Sequence, residues 1–173
     1  PFNALVVGFV FYKKWKQASA VLAALIVAFW LLPPSQPLSG SWYVALAATW
    51  DKIIALALIF PVVKIAKLKS FPKLQAIFYF LLAFVGNQAD SQWGSNIFAV
   101  PIVYEGIFSI NSLDVVRGLF VISPFIYPAI RIIQSVIVAI IAVPLLRTLE
   151  SSDLTPIKES IAGFLRRPKS NRV

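Results

Sequence analysis

Five apolar stretches, separated by polar, basic or proline-rich segments, set the pattern of the chain and predict its helices. Residues 2–12 form the first run, which Lys13, Lys14 and Lys16 close. The second, residues 17–32, ends at Pro33 and Pro34, where the missing amide donor and the ring clash stop a helix. Residues 33–41 make an uncharged connection rich in Pro, Ser and Gly. The third run, residues 42–63, holds Asp51 and Lys52 and leads into a basic connection with Lys64, Lys67, Lys69 and Lys73. The fourth begins near Leu74 and is apolar to Gly86. It then turns polar through Asn87, Gln88, Asp90, Ser91, Gln92, Ser95 and Asn96, before a further apolar stretch at 97–104. Residues 105–117 form a connection of mixed charge. The fifth run starts after Pro124, restarts at Pro128 as a first-turn proline, and reaches Leu146.

Crossing a hydrocarbon core of about 30 Å takes roughly 20 helical residues. The pattern therefore predicts an all-α, polytopic transmembrane bundle of about five spans over residues 1–150. The first run is too short to cross unless it continues upstream, and Met is absent even at position 1, so a further helix before Pro1 is expected. Composition agrees: 59% of residues are hydrophobic and 13% charged, against about 45–50% and about 25% in soluble domains. The tail, residues 151–173, is basic. Within it Thr155 and Pro156 start a short amphipathic helix with the stripe Ile157, Ile161, Phe164 and Leu165, ending at Arg166 and Arg167 before Pro168. Such a helix would lie on lipid or dock on a cytoplasmic partner.

Charge gives the orientation. Three Lys lie between the first two runs, four between the third and fourth, and six Lys/Arg in residues 147–173, so thirteen of the sixteen basic residues fall on alternate connections. By the positive-inside rule these face the cytoplasm, placing the protein in the cell membrane with a cytoplasmic C-terminus. The same alternation accounts for the net charge of +9 without a nucleic-acid partner. Ala20, Ala24 and Ala28 form a small-residue stripe on the second run, which lets another helix approach closely, expected to be one of this same chain.

The candidate chemistry lies at membrane depth, where ionisable groups are costly and usually functional. At 1.5 Å per residue, Asp90 falls about 24 Å along the fourth helix and Arg131 just inside the fifth, each about 6 Å below the outer surface. The two are expected to pair or to face a common cavity. Asn87, Asp90, Ser91, Gly94 and Ser95 recur at helical spacing on one face, as do Tyr127, Arg131, Gln134 and Ser135. Asn87, Asp90, Ser91, Trp93, Arg131 and Gln134 are thus the candidate ligand-binding residues, in an outer polar pocket above an apolar plug. Trp30, Trp42, Tyr43, Trp93 and Tyr104 suit an interfacial belt, and of the aromatics Trp50 and Trp93 lie nearer the polar groups. The sequence has neither His nor Cys. It shows no close carboxylate pair and no glycine-rich phosphate loop, so no catalytic residue, metal site or cofactor is expected, and the chain does not read as an enzyme.

Three stretches carry a resemblance. Pro1-Phe2-Asn3-Ala4-Leu5-Val6-Val7-Gly8-Phe9 is similar to the start of the second helix of the substrate-specific S components of energy-coupling-factor (ECF) vitamin transporters. Asn87-Gln88-Ala89-Asp90-Ser91-Gln92-Trp93-Gly94-Ser95 resembles the polar stretch of their fifth helix. Tyr127-Pro128-Ala129-Ile130-Arg131 through Ala142-Val143-Pro144-Leu145-Leu146 resembles their last. The resemblance implies a six-helix fold, a small-molecule site near the outer surface, and uptake together with a transmembrane coupling subunit and paired ATPases. In that family the small-residue motif that docks the coupling subunit sits on the first helix. The expected function is a membrane-embedded substrate-binding subunit of a micronutrient, vitamin-like uptake transporter. The alternative is a non-catalytic accessory subunit of a larger membrane enzyme complex, such as an oxidoreductase. Either role implies lipids and other membrane subunits as partners.

Overall fold

Apolar runs bounded by prolines and lysines become helices throughout the computed structural model, which describes residues 1–66 and 72–151. The described residues are all-helical: α1 Phe2–Phe11, α2 Trp15–Trp30, α3 Leu38–Ile65, α4 Pro72–Phe98, α5 Pro101–Tyr104 and α6 Leu113–Ser151. A 3-10 turn at Pro33–Ser35 follows α2, and Pro101 opens α5 in the first turn, where its missing N–H costs nothing. The C-terminal amphipathic helix expected after Thr155, and Lys67 and Lys69 of the basic connection, lie outside the described residues.

Among the described residues two helices, α3 and the segment Leu113–Leu146 of α6, are long and apolar enough to cross a membrane. α4 spans about 40 Å at 1.5 Å per residue, but its second half carries the polar series. α1 and α2 are shorter.

The two clusters of buried side chains show the helices running alternately up and down, with the connections 31–37 and 99–112 at one end, here the upper, and 12–14, the end of α3 and the start of α4 at the lower. α4 is central and touches α1, α2, α3 and α6. Buried apolar side chains form two clusters. The lower joins Val6, Leu22, Ile59, Phe78 and Val85 from α1–α4. The upper joins Phe29, Val44, Ala48, Ala99, Val116 and Phe120. Between these levels α3 buries Thr49, Asp51 and Lys52, and α4 buries Gln88, Gln92 and Asn96. The core is therefore two apolar layers enclosing a polar one.

Three sequence expectations change. α6 begins at Leu113, well before Pro124, and continues through Pro124, Pro128 and Pro144. Pro124 has no N–H to offer the Phe120 carbonyl, and the Ser123 hydroxyl donates to that oxygen instead at 2.8 Å. α3 likewise starts at Leu38, inside the expected loop, with a kink at Ser41. Ala20, Ala24 and Ala28 are exposed, because α2 turns Ala18, Leu22, Leu25, Ile26 and Phe29 inward instead. No described helix of this chain covers the alanine stripe.

Candidate ligand-binding cavity

The polar residues of α4 sort onto different faces, because successive residues are about 100° apart around a helix. Asp90, Ser91, Gly94 and Ser95 open onto a cavity of about 640 Å³. Gln88, Gln92 and Asn96, four residues apart, turn into the core. Asn87 turns to α1, where it accepts a 3.0 Å hydrogen bond from the Asn3 amide. Trp93 meets Phe2 with ring centroids 4.8 Å apart. Asn87 and Trp93 therefore serve the α1 contact and stand outside the cavity wall, and so does Trp50.

α6 supplies the facing wall with Ser123, Tyr127 and Arg131, and α3 contributes Lys52. Asp90 and Arg131 thus share one cavity, although no ion pair joins them among the described residues. Arg131 Nη1 donates to Gln134 Oε1 at 2.8 Å, and its Nε is buried without a partner. Gln134, itself exposed, orients the guanidinium and does not line the cavity. Asp90 Oδ1 lies 3.1 Å from the Pro1 nitrogen, and its side chain is 49% exposed.

Lys52, absent from the sequence-derived candidates, is bound to its own neighbour. Its ammonium lies 2.8 Å from Asp51 Oδ1 and 3.1 Å from Oδ2, with both side chains buried. The pair gives the wall a cation that brings its own counter-ion. Helical periodicity offers no signal for such a contact, since adjacent residues do not normally face each other.

The apolar part of the wall is aromatic. Phe98 meets Phe108 at 5.4 Å and Phe120 at 5.8 Å, both edge to face, and Phe120 meets Phe29 at 4.8 Å. This geometry favours ring pairs over their buried area alone and sets three ring surfaces toward the cavity. Above it, Arg117 fixes the α2–α3 connection. Its Nε donates to the Pro34 carbonyl at 3.2 Å and its Nη2 to the Gln36 carbonyl at 2.6 Å, while Nη1 pairs with Asp114 at 3.2 Å. Gln36 in turn donates to the Trp30 carbonyl at 2.6 Å, and the Trp30 indole donates to Thr49 at 3.1 Å.

Chemically the cavity holds fixed charges, hydroxyls and flat apolar surfaces, a mixture common in small-molecule pockets generally. The described residues contain no cluster of three metal-ligating side chains. Comparison of the chain with protein-family models, with curated proteins and with solved structures finds no match.

Proposed function

We propose that this chain is a membrane-embedded, multi-pass solute-binding subunit of a micronutrient uptake system. Its bundle would follow the plan of the ECF S components, with five or more spans and the basic lower end in the cytoplasm. One observation carries the reading: Asp90 and Ser91 of α4, Lys52 of α3 and Arg131 of α6 meet around one cavity of about 640 Å³. Ligand pockets generally measure about 300–1,000 Å³. In the proposed orientation the cavity opens in the outer half, above the lower apolar cluster, which would seal it from the cytoplasm. Coupling to a transmembrane subunit and ATPases belongs to the same proposal.

The test is native mass spectrometry of the protein purified from its own membranes in mild detergent. Wild type is expected to carry a small-molecule adduct, and Asp90→Ala and Arg131→Ala each to lose it while inserting normally. A bare wild type, or an adduct unchanged in both variants, would remove the solute site. The same preparation addresses the rival role, an accessory subunit of a membrane enzyme complex. The exposed Ala20, Ala24 and Ala28 stripe on α2 gives that rival a surface for a neighbouring helix. Co-purifying ATPases support uptake; co-purifying metal-bearing oxidoreductase chains support the rival.

A further inference from the structure

We propose that the cavity selects aromatic solutes that carry one carboxylate, held by Arg131, and a hydrogen-bond donor for Asp90. The inference rests on the solute-binding reading above and names the class of solute. Three charged side chains line the cavity: Lys52, Asp90 and Arg131. Lys52 is already neutralised by Asp51 at 2.8 Å. Arg131 is not, because its side-chain hydrogen bond among the described residues goes to the uncharged Gln134 carbonyl oxygen. A guanidinium on an otherwise apolar helix, with a buried Nε lacking any acceptor, is costly without a counter-ion.

Its planar fork of donors matches a carboxylate bidentately. A single uncompensated guanidinium offsets one negative charge, which suits a monocarboxylate better than a phosphate dianion. Asp90, on the opposing helix, lies 3.1 Å from the Pro1 nitrogen through Oδ1, and its half-exposed carboxylate has further acceptor sites that a donor on the same solute can use. Toward the upper end of the cavity Phe98, Phe108 and Phe120 present ring surfaces to a flat body. Ser91, Ser95, Ser123 and Tyr127 add neutral hydrogen-bonding groups.

The experiment uses matched triplets in which only the charge of one group changes. Benzoate, benzamide and benzamidine, each with and without a para-amino group, are titrated against the full chain in detergent, with thermal unfolding as the readout. The corresponding pyridine and indole triplets follow. Within a triplet the carboxylate is expected to bind roughly tenfold tighter than the amide, a difference of about 1.4 kcal/mol, with the amidine weakest. The para-amino group should tighten binding in wild type and not in Asp90→Asn. Arg131→Gln should erase the preference for the carboxylate, and Arg131→Lys should restore part of it. Equal binding of amide and carboxylate, or tighter binding of the amidine, would overturn the carboxylate assignment while leaving a solute site in place. Failure of every compound to shift unfolding would overturn that site as well. Elution of each variant as a single symmetric species separates these outcomes from misfolding.

Discussion

Asp51 and Lys52 are neighbours on one helix, and their side chains leave the axis about 100° apart. That the ammonium nevertheless closes on the carboxylate at 2.8 Å reflects burial: both side chains are almost fully covered. A buried pair adds little net stability, but breaking it leaves a bare charge behind. Asp51→Ala is expected to lower unfolding stability in detergent by about 3–5 kcal/mol, and Asp51→Leu combined with Lys52→Met to recover most of that loss. A double variant no better than the single one would show the pair to be dispensable. The buried amides of α4 divide in the same way. Asn96 Nδ2 donates to the Leu25 carbonyl at 3.0 Å and its Oδ1 accepts from Gln92 at 3.0 Å, whereas neither amide atom of Gln88 has a partner. Asn96→Leu should therefore destabilise, and Gln88→Leu should be neutral or stabilising by about 1–3 kcal/mol. Chemical denaturation of both variants checks the contrast. Residue types and helical spacing made Asp90 and Ser91 legible as one face of α4, and Arg131 as lining the same cavity from α6. The same spacing grouped Asn87 with them, because a periodicity cannot say which neighbouring helix meets which edge of a face.

Where helices meet, single residues set the distance and the ends. A Cβ added at Gly86 would lie 2.5 Å from both Asn3 Oδ1 and Val7 Cγ2. Gly86 is therefore what lets α1 close on α4 and form the Asn3–Asn87 hydrogen bond. Gly86→Ala is expected to cost about 1–3 kcal/mol by overpacking, read as earlier proteolytic release of α1. Unchanged cleavage kinetics would mean that α1 shifts freely. At the lower end of α1, Lys13 adopts φ 61°. The Lys13 amide returns to the Val10 carbonyl at 2.9 Å, and the Lys14 amide to the Phe9 carbonyl at 2.7 Å. This is the cap that glycine usually provides, so Lys13→Gly should raise stability by about 0.5–1 kcal/mol, measured by thermal unfolding. The stops at Lys13 and Pro33 were legible because lysine clusters and paired prolines break an apolar pattern. The start of α6 was not: Pro124 and Pro128 read as boundaries, and only the Ser123 hydroxyl on the Phe120 carbonyl reveals how the helix passes Pro124.

At the scale of the whole molecule, α6 bears most directly on the proposed membrane reading. Only 6% of its apolar window is buried against the rest of the chain, compared with 44% in α3. Phe125, Ile133, Ile140 and Ile141 stand outward over successive turns. Water would leave that surface unsatisfied, and in a hydrocarbon core it needs no protein cover. On the proposed membrane reading, three helices, α2, α3 and α4, separate Lys14 at the lower end from Ser109 at the upper. An odd number of crossings puts these two residues on opposite sides. The sequence contains no Cys, and both positions are exposed, so single-cysteine variants report on sidedness without any background to remove. A membrane-impermeant maleimide is expected to label Ser109→Cys in intact cells and Lys14→Cys only once the membrane is opened. Labelling of both from the outside would break the count of crossings and, with it, the placement of the cavity. Labelling with the sides reversed would keep the count and turn the cavity to the cytoplasm, which would disqualify capture from outside and overrule the charge bias of Lys13, Lys14, Lys16 and Lys64.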